Sequence, residues 1–257
     1  MNHTIVATAL IVALCGGMLG LLEYGRRLGK KRLDRDPESA RAGVAAMDGT
    51  VFALLGLLIA FTFSSAAARF QVRRELITNE TNAIGTAWLR LALLPTEAQP
   101  AARENMRKYV EARLAVYAAI PDREMMQAEL QRVSAAQNEL WRIVIDARGG
   151  KSQGWEIVVL PALNEMFDIS TTRTHAIRWH PPLIVFLLLT VLALGCSLLA
   201  GFAMSAATYR PLIHMLAFSC VVALTVYVIV DFEFPRYGLI RVDDDDQALI
   251  DLRASMD

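Results

Sequence analysis

Four long apolar stretches constrain the fold of this chain more than any other feature. None of the four contains Asp, Glu, Lys or Arg, and each has about the 20 residues that a helix needs to cross a bilayer. The stretches are Thr4–Leu22, Gly49–Ala68, Pro182–Ala203 and Pro211–Val230. They predict an all-α integral membrane protein with four transmembrane helices, whose immediate partner is the lipid bilayer.

The composition of the 257 residues supports this assignment and excludes other classes. Hydrophobic residues make up 54% of the chain and charged residues only 20%, against roughly a quarter charged in an average soluble domain. The 26 Lys and Arg balance the 26 Asp and Glu, so the chain lacks the basic excess of a nucleic-acid-binding protein. We therefore expect no nucleic acid among its partners.

The chain between the second and third stretches is polar enough to lie outside the membrane. No proline interrupts the second stretch before Pro95, which predicts that this helix continues to about Leu94. Two further helices follow, of which the second starts at the N-cap residue Asp122, and a fourth, from about Trp155, is interrupted near Pro161. The continuation of the second stretch carries a seam of apolar residues at seven-residue spacing that requires a partner helix: Phe70, Ile77, Ile84 and Leu91.

These patterns predict a helical-bundle extramembrane domain inserted between transmembrane spans two and three. The predicted segments are a first transmembrane helix (1–22), a basic loop (23–48), a second transmembrane helix (49–68), the helical domain (69–180), the third and fourth transmembrane helices (181–230) and an acidic C-terminal tail (231–257). The acidic run Asp243–Asp246 lacks the spacing of a calcium-binding loop and is predicted to be solvated.

The distribution of cations predicts how the chain is oriented in the membrane. The segment before span one carries no Lys or Arg, whereas the loop after it carries seven: Arg26, Arg27, Lys30, Lys31, Arg32, Arg35 and Arg41. The positive-inside rule places this loop in the cytoplasm. The helical domain and the C-terminal tail then face the periplasm of a bacterial inner membrane. With Arg210 the loop side carries eight basic residues near the spans, against seven on the other side: Arg69, Arg73, Arg74, Arg173, Arg178, Arg236 and Arg241. The greater weight of cations in short loops favours the orientation given above.

The second span carries two patterns that point to function. Gly56, Ala60 and Ser64 share one face, and small side chains let helices approach closely in lipid, either within a subunit or between subunits of a homo-oligomer. A second face carries hydroxyls and then cations, as a path for a small anion requires: Thr62, Ser65, Arg69 and Arg73. The alternative is that the hydroxyls bond to their own helix while the cations lie among lipid headgroups.

Two other polar groups are candidate sites. Beyond the membrane the second helix carries carboxylate and amide oxygens that are suited to a polar site, or else are solvated or bonded to a neighbouring helix: Glu75, Asn79, Glu80 and Asn82. After the fourth span, acidic and basic residues alternate at the membrane edge, where we expect ion pairs: Asp231, Glu233, Arg236 and Arg241.

No catalytic pattern accompanies these groups. The sequence contains no HExxH, no glycine-rich phosphate loop and no nucleophile elbow. We predict that the protein is not an enzyme and that it uses no metal and no cofactor.

Five segments together resemble the bestrophin-like family of bacterial multi-pass membrane proteins. They are FALLGLLIAFTFSSAAARF (52–70), NETNAIGTAWLRLALLP (79–95), LPALNEMFDISTTRTHAIRWHPPLIVF (160–186), HMLAFSCVVALTVYVIVDFEFPRYGLIRVD (214–243) and DQALIDLRASM (246–256). The resemblance implies four spans and a helical domain between spans two and three. By a more remote analogy it implies a pentameric anion channel whose second span lines the pore. In such a channel the helical domain is cytosolic, which is opposite to the orientation that the cations predict.

Two functions are therefore expected. The first is an oligomeric membrane protein that acts as an anion channel, with the second span lining the path. The second is a membrane-anchored interaction or sensor protein whose helical domain binds a partner without transport.

Overall fold

The computed structural model describes residues 3–33, 44–120, 122–149, 154–207 and 209–257. Across these ranges the chain forms α-helices and short 3₁₀ turns, with no strand. The α-helices are α1 (His3–Leu33), α2 (Val44–Arg90), α3 (Gln99–Ala118), α4 (Arg123–Ala147), α5 (Glu156–Ala176), α6 (Leu183–Ala203), α7 (Leu212–Glu233) and α8 (Gln247–Ala254). The prediction of an all-α protein is confirmed.

Four of these helices are long and apolar enough to cross a membrane. They are α1, α2, α6 and α7. Helices α1 and α2 contain the first two charge-free stretches, and α6 and α7 each begin one residue after the proline that opens the third or fourth stretch. The prediction of four apolar helices is therefore confirmed as well.

The first helix extends beyond its apolar stretch. α1 reaches Leu33, so that five of the cations predicted in a loop from residue 23 lie on the helix: Arg26, Arg27, Lys30, Lys31 and Arg32. Lys, Arg and Leu are good helix formers, and Glu23 accepts hydrogen bonds from Arg26 and Arg27 one turn later. Arg35 and Arg41 lie outside the described residues.

The chain divides into two compact units. The first unit comprises Met1–Phe70 and His180–Ile240, and the second comprises Gln71–Trp179 and Arg241–Asp257. Helix α2 contributes its first part to the first unit and its last part to the second.

In the first unit, α1 and α6 pack with their backbones in close contact. A Cβ atom on Gly201 would collide with the carbonyl of Leu22, and one on Gly25 would collide with the carbonyl of Leu198. Glycine allows this approach because it presents no side chain, which is the usual basis of tight helix packing in lipid. Ala193 on the same face of α6 is fully buried.

The second unit has its own apolar core, to which the heptad seam of α2 contributes. Ile77, Ile84 and Leu91 are all buried, as their seven-residue spacing predicts. Phe70, the first residue of the predicted seam, belongs to the first unit and is half-buried. The three buried residues belong to a unit whose large, fully buried side chains include Met106, Leu140, Leu163 and Met166 from α3, α4 and α5. The unit thus has a core that is independent of lipid.

Helix ends in the second unit follow the predictions in part. The Asp122 carboxylate accepts hydrogen bonds from the backbone N–H groups of Glu124 and Met125, each at 3.0 Å, and so caps α4 as predicted. Helix α5, by contrast, continues through Pro161 and ends at Ala176. The predicted interruption at Pro161 is wrong, and the break follows before the pair Pro181-Pro182 instead.

The C-terminal segment is packed against the second unit, so the prediction that its acidic run is solvated is wrong. Leu249 and Met256 are buried in the unit's core. Asp245 pairs with Arg74 at 3.0 Å, and Asp246 is buried against Arg173. The acidic run leads directly into an amphipathic helix, and burial of its apolar face holds the carboxylates beside these arginines.

Candidate functional site

Helix α2 is the least covered of the four apolar helices. Only 11% of its apolar window is buried in the structure, against 17% for α1, 28% for α6 and 33% for α7. Most of the apolar face that α2 carries is therefore available to lipid or to another subunit.

The uncovered surface of α2 includes the stripe of small residues. Gly56, Ala60 and Ser64 are all exposed. A Cβ atom on Gly56 would meet no other atom within 4 Å among the described residues. The stripe therefore makes no close helix contact within its own unit, and its role in helix packing stays a prediction about neighbouring subunits.

The residues predicted to line an anion path have different surroundings. The Thr62 hydroxyl donates to the Leu58 carbonyl of its own helix at 2.7 Å, whereas Ser65 is exposed. Arg69 is half-buried, and its Nε donates to Glu233 at 2.8 Å in the first unit. Of the predicted path residues in the first unit, Ser65 thus presents an exposed hydroxyl and Arg69 a paired cation near the end of the apolar window.

Arg73 belongs to the second unit and is buried. Its guanidinium donates to the backbone carbonyls of Ala176, at 3.3 Å, and Trp179, at 2.7 Å. These carbonyls lie at and just beyond the C-terminal end of α5, where a cation is favourable because the terminal carbonyls lack helical partners. Arg73 therefore has a structural role at the end of α5.

The carboxylates after α7 are held by partners that the sequence did not indicate. Glu233 is fully buried, and besides pairing with Arg69 it lies 3.7 Å from Nδ1 of His180. Asp231 accepts hydrogen bonds from the backbone N–H groups of Leu239 and Ile240, at 3.1 and 2.8 Å.

The chain turns tightly at this point. A Cβ atom on Gly238 would collide with the Asp231 carboxylate, so a larger residue there would displace this carboxylate from its backbone N–H partners. Of the two predicted basic partners, Arg241 pairs with Asp243 through Nε at 2.6 Å.

A buried ion-pair cluster lies in the second unit, formed by Glu80, Arg113, Tyr117, Arg173 and Asp246. Glu80 accepts from Arg113 Nε at 2.5 Å, from Arg173 Nη1 at 2.6 Å and from the Tyr117 hydroxyl at 2.8 Å. Arg173 also pairs with Asp246, and its guanidinium lies 3.5 Å from the centre of the Tyr117 ring. The positive charges of two guanidinium groups thus balance the negative charges of two carboxylates inside the unit.

The cluster controls the protonation of its members. Burial alone would raise the pKa of Glu80, but the positive charges of Arg113 and Arg173 outweigh it and hold the pKa below its ordinary value. Burial would lower the pKa of Arg113, and its negative surroundings instead raise it. Burial also raises the pKa of Tyr117 well above the usual range. At neutral pH the carboxylate is charged and the phenol is neutral.

The four residues predicted as one polar site do not come together. Glu80 is fully buried, whereas Asn79 and Asn82 are exposed on another face of α2. Glu75 is also exposed and accepts from the Gln71 side chain at 3.2 Å. Within the described ranges there is no group of three or more His, Cys, Asp or Glu side chains arranged to hold a metal ion.

Sequence reasoning missed the partners of Glu80. Arg113 is four residues after the buried Tyr109 and three before the buried Val116, so it falls on the apolar face of α3. A charged residue at such a position indicates a buried ion pair, because an unpaired buried charge is costly. This signal was present in the sequence, although it does not identify the partner.

A protein-family model described as the bestrophin-like domain matches residues 11–247 of the chain. This range includes α2, α6 and α7, all of α1 except residues 3–10, and most of the second unit. Searches of curated proteins and of solved structures give no match.

Proposed function

Because the chain belongs to the bestrophin-like family, we propose that it forms a homo-oligomeric anion channel in a bacterial inner membrane, with α2 lining the ion path. The uncovered face of α2 is the observation that carries this proposal. A path along a symmetry axis needs one helix in each subunit that the subunit itself leaves exposed. Among the four apolar helices, α2 meets this condition best.

The chemistry of the exposed face supports the same conclusion. Gly56, Ala60 and Ser64 allow neighbouring copies of α2 to approach closely. Ser65 presents a hydroxyl on the uncovered surface, and hydroxyls in a pore replace part of the hydration shell of an ion. The Glu233 carboxylate offsets the charge of Arg69, so the proposed path selects anions mainly through hydroxyl groups such as that of Ser65.

The second candidate function is a membrane-anchored sensor or interaction protein. The independent core of the second unit favours it, as does the use of Arg73 to stabilise the end of α5. In that case the four apolar helices only anchor the second unit, and the purified protein conducts no ions.

Reconstitution into liposomes distinguishes the two functions. A channel gives halide flux above that of protein-free liposomes. Ser65→Asp, which adds one negative charge per subunit to the proposed path, should lower this flux, whereas the uncharged variant Ser65→Asn should retain most of it. Absence of flux from the wild-type protein contradicts the channel and favours the sensor. Equal flux from the Asp and Asn variants excludes Ser65 from the path.

A further inference from the structure

We propose that the second unit binds a small oxyanion, a carboxylate or a phosphate group, in the groove between α4 and α5. The groove contains a cavity of about 140 Å³. A cavity of similar size accommodates about six non-hydrogen atoms, which suits a small carboxylate or phosphate. This binding site is separate from the proposed ion path and does not rest on it.

Four side chains in the walls of the cavity keep hydrogen-bonding groups that no described residue uses: Arg113 from α3, Ser134 and Gln137 from α4, and His175 from α5. The hydroxyls of the other lining residues, Ser170, Thr171 and Thr174, already donate to carbonyls of α5. No Asp or Glu lines the cavity. Arg113 is paired with Glu80 outside this lining, and the other donors have no carboxylate partner among the described residues. Such donors attract a ligand that carries acceptor oxygens and negative charge.

Arg113 provides a charged donor that the ion-pair cluster leaves available. Its Nε donates to Glu80, its Nη1 to Thr174 at 3.1 Å, and its Nη2 to Tyr117 and to the Ser170 carbonyl. A guanidinium has five N–H groups, so one N–H of Nη1 has no acceptor among the described residues. Arginine suits carboxylate and phosphate ligands because its rigid, planar group presents several donors.

Three further polar groups add to this donor set. The Ser134 and His175 side chains have no hydrogen-bond partner in the described part of the chain, and both are exposed at the groove. Gln137 donates one N–H to Ser170 at 3.2 Å and retains a second. The donors come from three helices, so a single oxyanion would connect α3, α4 and α5.

A buried hydroxyl next to the cavity points to the same site. Tyr109 is fully buried, and its hydroxyl lies beside Ser170 and Gln137, two residues of the cavity wall, without a hydrogen bond of ordinary geometry among the described residues. Burial raises the pKa of Tyr109 to about 12, so the hydroxyl keeps its proton at neutral pH. Buried polar groups in proteins nearly always have a partner, and an occupied cavity allows Gln137 and Ser170 to reorient toward the ligand and this hydroxyl.

Isothermal titration calorimetry on the full-length protein in detergent tests the proposal. Sodium phosphate and sodium acetate are titrated separately at constant ionic strength, with sodium chloride as the reference salt, which separates a phosphate site from a carboxylate site. We expect saturable binding of at least one of the two. Ser134→Trp, which fills the cavity from its exposed edge, should abolish it. His175→Ala, which removes one donor, should weaken it roughly fivefold.

Thr172→Trp is the matched control, because Thr172 is exposed on α5 but does not line the cavity. This variant should bind as the wild type does, and circular dichroism at 222 nm verifies that all variants fold. Three results would each overturn the proposal: no saturable binding of either oxyanion, unchanged binding in Ser134→Trp, or equal loss in the two tryptophan variants.

Discussion

At the scale of single residues, Glu80 determines the charge balance of the second unit. Its two oxygens accept hydrogen bonds from Arg113, Arg173 and Tyr117, and all of these side chains are buried. Buried charges are tolerated only when they are paired, and removal of one partner leaves the others without compensation. The intact cluster therefore adds little net free energy to the stability of the fold, whereas removal of one of its members costs much.

Replacing Glu80 tests this role. Glu80→Gln should lower the free energy of unfolding by about 3 kcal/mol or more, because Arg113 and Arg173 lose their shared negative partner. Thermal unfolding monitored by circular dichroism measures the change. Glu75→Gln is the control, since Glu75 is exposed on the same helix, and its effect should stay within about 0.5 kcal/mol. Similar melting temperatures for the two variants would contradict the structural role of the cluster.

The same carboxylate makes stability depend on pH. The pKa of Glu80 is lowered in the folded protein, so its contribution is complete above the unfolded value of about 4.3 and is lost as the pH falls through the folded pKa. We expect wild-type stability to decrease more steeply below pH 4 than that of Glu80→Gln. Unfolding curves recorded at a series of pH values measure the two slopes, and parallel slopes would show that Glu80 does not titrate with unfolding.

At the scale of elements, the sequence predicts helices well and their partners poorly. The heptad spacing of Ile77, Ile84 and Leu91 and the Asp122 cap are local patterns, and the structure bears them out. The pairing of Arg69 with Glu233 joins residues 164 positions apart, which no local pattern encodes. The docking of α8 on the second unit was not predicted from the sequence, because the tail was assigned from its acidic run alone. The spacing of Leu249 and Leu252, which share one face of a helix, was the available signal.

Helix α8 offers a direct test of C-terminal docking. Leu249 is fully buried in the second unit, whereas its neighbour Ile250 is 46% exposed. Leu249→Ala should lower the free energy of unfolding by about 2–5 kcal/mol through lost burial and the cavity left behind. Ile250→Ala, of similar size change, should cost less than about 1 kcal/mol. Equal effects of the two substitutions on thermal unfolding would mean that α8 is not docked through this face.

The exposed stripe of α2 leads to a prediction about assembly. Gly56→Leu should weaken association of subunits, because a large side chain at this position keeps neighbouring helices apart. Native mass spectrometry of the detergent-purified protein measures the stoichiometry. Gly16→Leu on α1 is the control, since Gly16 also faces open space in the subunit. If Gly56→Leu keeps the wild-type stoichiometry and stability, the stripe faces lipid.

At the scale of the whole molecule, the charges on α1 and the family analogy make opposite predictions about orientation. Arg26, Arg27 and three further cations lie on the last turns of α1. Glu23 pairs with Arg26 and Arg27, but acidic residues contribute little to the positive-inside rule. The cations therefore still favour a cytoplasmic end of α1 and a periplasmic second unit, while a bestrophin-type channel places the helical domain in the cytosol.

Cysteine labelling decides between these orientations. On a background in which Cys15, Cys196 and Cys220 are replaced, Ser134→Cys introduces a thiol at an exposed position of α4. We expect a membrane-impermeant thiol reagent to label this variant on intact spheroplasts, because retention of the α1 cations in the cytoplasm directs the second unit outward. Lys31→Cys, exposed at the end of α1, is the control and should react only after lysis. The reverse pattern in both variants would place the second unit in the cytoplasm, contradict the charge rule for this chain and strengthen the channel analogy.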